Sequence, residues 1–326
     1  MTGKAENKQK NETRMKAKLS EMEPYMLGFY NFMGDNKTYR TKEEYTKHVI
    51  KLLNYVKKDV TEITIDDITS FTESIRIKPN GIELKSSYKI SIHSALKQFF
   101  SYLYARKTIE TNPMDHIKRP SLKESDAPER CCLTPQEVKQ MMYNVEVGVG
   151  NNRSRIRQKE FMERDRALLL LFLETGARCG AVAEVNLENV DFANNKVYMI
   201  SKGDKARDYE ISDKLLISIA EWIVKRRKIL GDIQSEALFC SMHGTRLTHK
   251  SISKIVLKYT EFTGKRITPH KLRATTITNV WDATHDLFLA QRVAGHADPK
   301  TTEIYIRNQE DSTKAASRIM SDILYG

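Results

Sequence analysis

Between Thr268 and Ile306 the chain reads TPHKLRATTITNVWDATHDLFLAQRVAGHADPKTTEIYI, and four side chains in it could act together on a phosphate. Thr268 suits an N-cap and Pro269 the first helical position, so a helix is predicted to begin at His270. His270 and Arg273 then share one face of its first turn. Backbone N–H groups and the positive end of the helix dipole favour an anion there. A second helix, about His285 to Ala294, is predicted to stop at Gly295 and leave His296 on the turn behind it. After Asp298-Pro299 the chain turns again and carries Tyr305, nine residues beyond His296. A guanidinium forks to two phosphate oxygens, imidazoles exchange protons or donate hydrogen bonds, and a helped phenol is a nucleophile. The set points to phosphate chemistry.

His-x-x-Arg, then Gly-His, then a Tyr nine residues on closely resembles the C-terminal box of the tyrosine recombinases, the phage integrases and Xer-type resolvases. The family also has an Arg in a Thr-Gly-x-Arg turn, matched by Thr175-Gly176-Ala177-Arg178. It has a Lys in a β-hairpin about two dozen residues later, matched by Lys202 in Ser201-Lys202-Gly203-Asp204-Lys205. The resemblance spans roughly residues 20 to 326 and implies six catalytic residues: Arg178, Lys202, His270, Arg273, His296 and Tyr305. Arg178 and Arg273 would grip the scissile phosphate, and His296 would donate to a non-bridging oxygen. His270 would accept the phenolic proton or hold the phosphate. Lys202, by resemblance, would protonate the departing 5′-oxygen while Tyr305 forms a 3′-phosphotyrosyl bond. Because one ester replaces another, rejoining needs no ATP, and the arginines supply positive charge, so no cofactor or metal is called for. One departure stands out: the family commonly has an acidic residue three after the first Arg, where this chain has Ala181 and offers Glu184 instead.

The elements that must position these groups read as mainly α with a small antiparallel β-sheet (α+β). Residues 1–20 form a basic N-terminal tail, either frayed or partly helical. Residues 21–118 are all helical in pattern and resemble the recombinase core-binding domain. Thr41-Lys42-Glu43-Glu44 reads as a capping box, and Ile65, Ile68, Phe71 and Ile75 face inward on a shorter helix. A long helix is predicted over about Ser87 to Arg106, with Tyr88, Ile92, Leu96, Phe99 and Leu103 as its buried stripe. Lys89, His93 and Lys97 step along its other side, as a solvated row or as DNA contacts. Residues 119–132 read as an interdomain linker and 133–326 as a catalytic domain.

Thr134-Pro135-Gln136-Glu137 opens that second domain with a capping box and Pro at the first position. Val145 to Lys159, with Arg153, Arg155 and Arg157 among glycines and asparagines, reads as an exposed basic insertion, longer than the family's usual connection. It is either plain loop or a mobile phosphate contact. Lys196 to Ile200 alternates like a strand, Lys202-Gly203-Asp204 turns, and Arg207 to Ile211 returns. Lys205 and Arg207 are rivals of Lys202 on that hairpin and otherwise candidate DNA contacts. A helix follows Ser212, a short strand is predicted over Ala237 to Cys240, and another helix over about Thr248 to Thr263. The last helix, 312–324, either folds back on its own domain or, as in the family, docks on a neighbouring protomer.

Lys plus Arg number 54 against 42 for Asp plus Glu, a formal net charge of +12. A polyanion is therefore the leading partner class. Cys131, Cys132, Cys179 and Cys240 lack metal-ligand spacing and suit reduced thiols. No apolar run of about eighteen residues and no signal peptide is present, so a soluble cytoplasmic protein is expected. The reading is a site-specific recombinase acting on double-stranded DNA sites, as a dimer per site and a tetrameric synapse, for mobile-element integration or excision. The alternatives are a chromosome or plasmid resolvase, a type IB topoisomerase, and a catalytically silent DNA-binding regulator.

Overall fold

The computed structural model describes residues 3–22, 24–34, 37–77, 81–121, 132–201 and 205–294. Gly295, His296, Tyr305, helix 312–324 and the Lys202 turn lie outside the described residues. The chain divides into two compact units, Met1–Pro128 and Glu129–Gly326.

The first unit is helical. The basic N-terminal stretch, read as either frayed or partly helical, is helical over α1 (Gly3–Ser20), whose Leu19 is fully buried. It leads through α2 (Pro24–Phe32) into α3 (Tyr39–Val56). Thr38, not Thr41, caps α3, its hydroxyl accepting from the Thr41 amide at 3.3 Å, so the helix starts a turn earlier than expected. Thr64 and Asp67 form a reciprocal capping box on α4 (Ile65–Ser74). The long α5 (Ser86–Ala105) buries Ile92, Leu96, Phe99 and Leu103 and leaves Tyr88 half-buried. With Met26, Phe29 and Tyr30 of α2 these side chains form one aromatic-rich core.

The second unit wraps helices around a small sheet. The Thr134–Glu137 capping box opens α6 (Pro135–Val147) as its sequence predicts. The basic insertion is not a loop: Asn152–Glu160 form α7. Then come α8 (Met162–Thr175) and the short α9 (Cys179–Glu184). Strands β1 (Val190–Asp191), β2 (Lys196–Ser201) and β3 (Lys205–Glu210) pair antiparallel in that order, with Val197 opposite Tyr209 and Met199 opposite Arg207. No strand forms over 237–240; isolated bridges join Asn186 to Ala237 and Cys240 to Arg246 instead. After α10 (Asp213–Leu230) and α11 (His249–Thr260) come α12 (Pro269–Thr284) and α13 (Leu287–Ala294). His285 stands in the left-handed region at φ +50° and ends α12, and Asp286 caps the next helix by accepting from the Leu289 amide. The second helix of the box therefore starts two residues later than expected. Apolar side chains of α8, α10 and α11 meet in one core with Val197 and Met199 of the sheet.

Candidate active site

Arg178 is delivered by the end of α8. Helix α8 stops because Gly176 takes φ +57°, a conformation glycine adopts without penalty, and its N–H closes on the Phe172 carbonyl. The Thr175 hydroxyl then accepts from the Ala177 amide at 3.2 Å, which holds the turn on the far side. Arg178 follows in extended backbone as the residue capping α9, and its side chain is exposed. A buried end of the turn thus pushes one guanidinium outward.

Arg273 arrives from α12. Thr268 caps this helix by accepting from the Lys271 amide, with Pro269 at its first position, so His270 and Arg273 lie in its first turn. Thr276, one turn on, donates to the Leu173 carbonyl of α8 at 2.9 Å. That contact docks α12 against the end of α8. Arg273 is 2 % exposed, and its Nη1 donates to the Gly176 carbonyl at 2.6 Å. Two stretches far apart in sequence therefore meet at a buried guanidinium.

His270 completes the described corner. Solvent reaches the residue, yet its imidazole is partly desolvated, and the positive charges of Arg273 and then Arg178 lie close by. Burial first, and those two charges after it, hold its pKa below the ordinary imidazole value. The ring is therefore neutral at pH 7 and able to accept a proton. Arg178, His270 and Arg273 are brought together, and Lys202, His296 and Tyr305 lie outside the described residues.

The support of Arg178 differs from what its sequence suggests. Ala181 is buried at 4 % exposure and places a methyl group where the family's carboxylate is common. Glu184 lies 3.9 Å from Arg246, whose guanidinium also donates to the Ala183 and Val185 carbonyls at 2.9 and 3.2 Å and to Asn186. Arg246 thus ties off the end of α9. Sequence reasoning missed it, because a lone Arg before Leu247 carries no pattern. His249 was missed as well: a Cβ built on Gly180 would stand 3.3 Å from its Nε2, so its imidazole flanks the same short helix.

The proposed DNA-contact residues do not all stand in the open. His93 is buried, with its Nε2 3.1 Å from the Ile117 carbonyl, so it belongs to the core rather than to a wet row. Lys89 is ion-paired to Glu83 at 2.6 Å, and Lys97 is exposed. Arg207 stacks 4.7 Å over the Tyr209 ring and donates to the Arg292 carbonyl of α13. Lys205 pairs with Ser201 at the hairpin end. Among the described residues no group of His, Cys, Asp and Glu could hold a metal ion, and no helix is long and apolar enough to cross a membrane.

A helical unit followed by a helix-wrapped, three-stranded antiparallel sheet is the scaffold of the tyrosine recombinases. It superposes on the XerH site-specific recombinase bound to palindromic difH substrate in a post-cleavage complex, with a TM-score of 0.69 at 21 % identity over 88 % of this chain and 81 % of that one. It also superposes on lambda integrase bound to a COC′ core site, with a TM-score of 0.64 at 16 % identity over 85 % and 95 %. The model of the phage integrase family matches residues 132–312, more than half of the chain, and the chain belongs to that family. Among curated relatives, tyrosine recombinase XerC of Shewanella amazonensis is 30 % identical over 65 % of this chain and 67 % of its own length. XerC of Actinobacillus pleuropneumoniae is 29 % identical over 65 % and 64 %. The chain thus aligns with about two thirds of the length of these relatives.

Proposed function

We propose that this protein is a site-specific DNA recombinase that cuts and rejoins strands through a 3′-phosphotyrosyl intermediate, in the cytoplasm. The observation that supports the reading most is the bond from Arg273 to the Gly176 carbonyl, which joins the start of α12, where His270 lies, to the turn that carries Arg178.

In this reading Arg178 and Arg273 hold the non-bridging oxygens, and their grip tightens as charge shifts in the transition state. The Tyr305 oxygen attacks phosphorus while the bond from phosphorus to the 5′-oxygen breaks. Neutral His270 takes the phenolic proton, Lys202 gives one to the leaving 5′-oxygen, and His296 donates to a non-bridging oxygen. A 5′-hydroxyl from another strand reverses the sequence and releases Tyr305. Double-stranded recombination sites are the substrate, and a dimer per site joining into a tetramer through helix 312–324 is the assembly.

The relatives named XerC favour a chromosome or plasmid resolvase as a second reading, beside mobile-element integration or excision. A pool of nicked duplexes tiling the DNA around the gene tests the chemistry, because a nick just downstream of the cut lets the short fragment bearing the free 5′-hydroxyl escape and traps the adduct. A denaturant-resistant protein–DNA species that Tyr305→Phe abolishes is expected. No adduct on any duplex sinks the enzyme and leaves the catalytically silent binder. The position of the trapped site, at an element's ends or at a replicon's single resolution locus, separates the two recombinase readings.

A further inference from the structure

We propose that α7 is a second phosphate-binding surface, separate from the reaction corner and indifferent to base sequence. The inference rests on the reading that the protein acts on DNA. Helix α7 has the sequence NRSRIRQKE, four cations against one carboxylate. A nine-residue helix of that kind is not stable alone, so tertiary contacts must hold it. Those contacts are specific. Asn151 caps it by accepting from the Ser154 amide at 2.9 Å. The Gln158 side chain, 9 % exposed, accepts from the Val149 N–H at 3.0 Å and donates to the Val149 carbonyl at 2.7 Å. Gly148, at φ +74°, backs onto Arg155 so closely that a Cβ would stand 3.2 Å from it.

With Gln158 turned inward, the opposite face is fixed by helical geometry. Ile156, 70 % exposed, stands near its centre, with Arg153 and Arg157 one turn apart on one flank and Lys159 on the other. The carboxylates Glu146 and Glu221 are engaged with Arg166 of α8. No ion pair or hydrogen bond reaches the side chains of Arg153, Arg157 or Lys159 among the described residues. Like charges one turn apart repel, so the array costs stability that a bound polyanion returns. Arg153 and Arg157 are about 6 Å apart along the helix axis. Phosphates recur about every 3.4 Å of duplex axis on each strand, so both guanidiniums reach neighbouring phosphates. An acidic protein segment would suit the same charge and spacing, and an unchanged salt slope on duplex DNA is its outcome.

The test uses the full-length protein and a fluorescein-labelled random-sequence duplex, with affinity measured across a NaCl series. The triple variant Arg153→Gln, Arg157→Gln, Lys159→Gln should flatten the slope of log affinity against log salt by about 2 to 3, one phosphate contact per cation. Arg153→Lys with Arg157→Lys should keep the slope, because the charge stays. A control triple, Lys214→Gln, Arg227→Gln, Lys228→Gln, removes as much charge from α10 and should flatten it by less than about 1. An unchanged slope in the α7 triple, or equal flattening by the control, overturns the proposal. A flat slope for the unaltered protein would sink the DNA reading itself instead.

Discussion

The Arg273 guanidinium donates from Nη1 to the Gly176 carbonyl at 2.6 Å, although 97 residues separate the two in sequence. One group therefore holds the turn that carries Arg178 and belongs to the same corner as His270. Structure and chemistry are coupled at that bond.

Arg273→Lys keeps the charge but loses the planar fork. Lysine has three donors but carries them on one atom, so it cannot spread them over the Gly176 carbonyl and two phosphate oxygens as the planar fork does. Single-turnover adduct formation should fall by about 100-fold or more, in the range of a lost oxyanion donor. Arg273→Ala also leaves a buried carbonyl without this donor, which costs about 1–3 kcal/mol and lowers the melting temperature. If the Lys variant cleaved at the parent rate, Arg273 would be a purely structural residue.

Gly176→Ala separates backbone conformation from crowding. The added Cβ would lie 3.5 Å from Thr276 Cγ2 and Val293 Cγ1, an ordinary contact. The left-handed φ of +57° is the remaining cost, about 1–2 kcal/mol for an L-residue. Gly176→Asn should lose less, since asparagine tolerates that region. Denaturant melts of the three proteins check the order Gly, Asn, Ala, and an Ala variant as stable as the parent refutes the assignment.

His270 gives the corner a pH dependence of known sign. Burial, then Arg273, then Arg178 lower its pKa, so the folded protein resists protonating it and the unfolded chain does not. Stability contributed at this site is therefore lost as pH falls through the ordinary histidine value and below. The proton-acceptor role is lost only lower, at the depressed pKa. Arg178→Gln removes one repelling charge and should move the His270 titration up toward the ordinary value. Labelled-histidine NMR reads that shift directly, and a titration that stays put or moves down contradicts the placement of Arg178 beside the ring.

Local chemistry was legible where neighbours in sequence decide the structure. Thr134, Pro135 and Glu137 announce the start of α6, Thr268 and Pro269 announce α12, and the apolar stripe of α5 follows from helical spacing. Long-range contacts decided the rest. Helix α7 exists because Gln158 clamps Val149, a bond that no propensity encodes. The segment from Ala237 to Cys240 looked like a strand, yet it meets its neighbours only at single bridges. His93 shared a four-residue step with Lys89 and Lys97, but the Ile117 carbonyl draws it into the core. The pairing of Arg246 with the end of α9 was equally invisible, because its partners are backbone carbonyls that any residue supplies.

Asp165 is the buried charge on which α8 depends. It is fully buried and accepts from Arg164 Nε at 3.0 Å and Nη2 at 2.8 Å, from Lys258 Nζ at 3.0 Å and from the Tyr259 hydroxyl at 2.9 Å. Arg164 also donates to the Cys240 carbonyl at 3.1 Å, so the cluster ties α8 to α11 and to the segment before it. Burial and then the Asp165 charge push the Tyr259 phenol above its ordinary range. Asp165→Asn would leave the Arg164 guanidinium buried without its counter-charge, at a cost of about 3–5 kcal/mol. Tyr259→Phe removes one neutral donor from an acceptor that keeps three others, and should cost about 1 kcal/mol. The two melts should therefore differ by several degrees, with Asp165→Asn far the lower. Near-equal melting would mean that solvent, not Asp165, balances Arg164, and α8 would then owe its position to apolar packing alone.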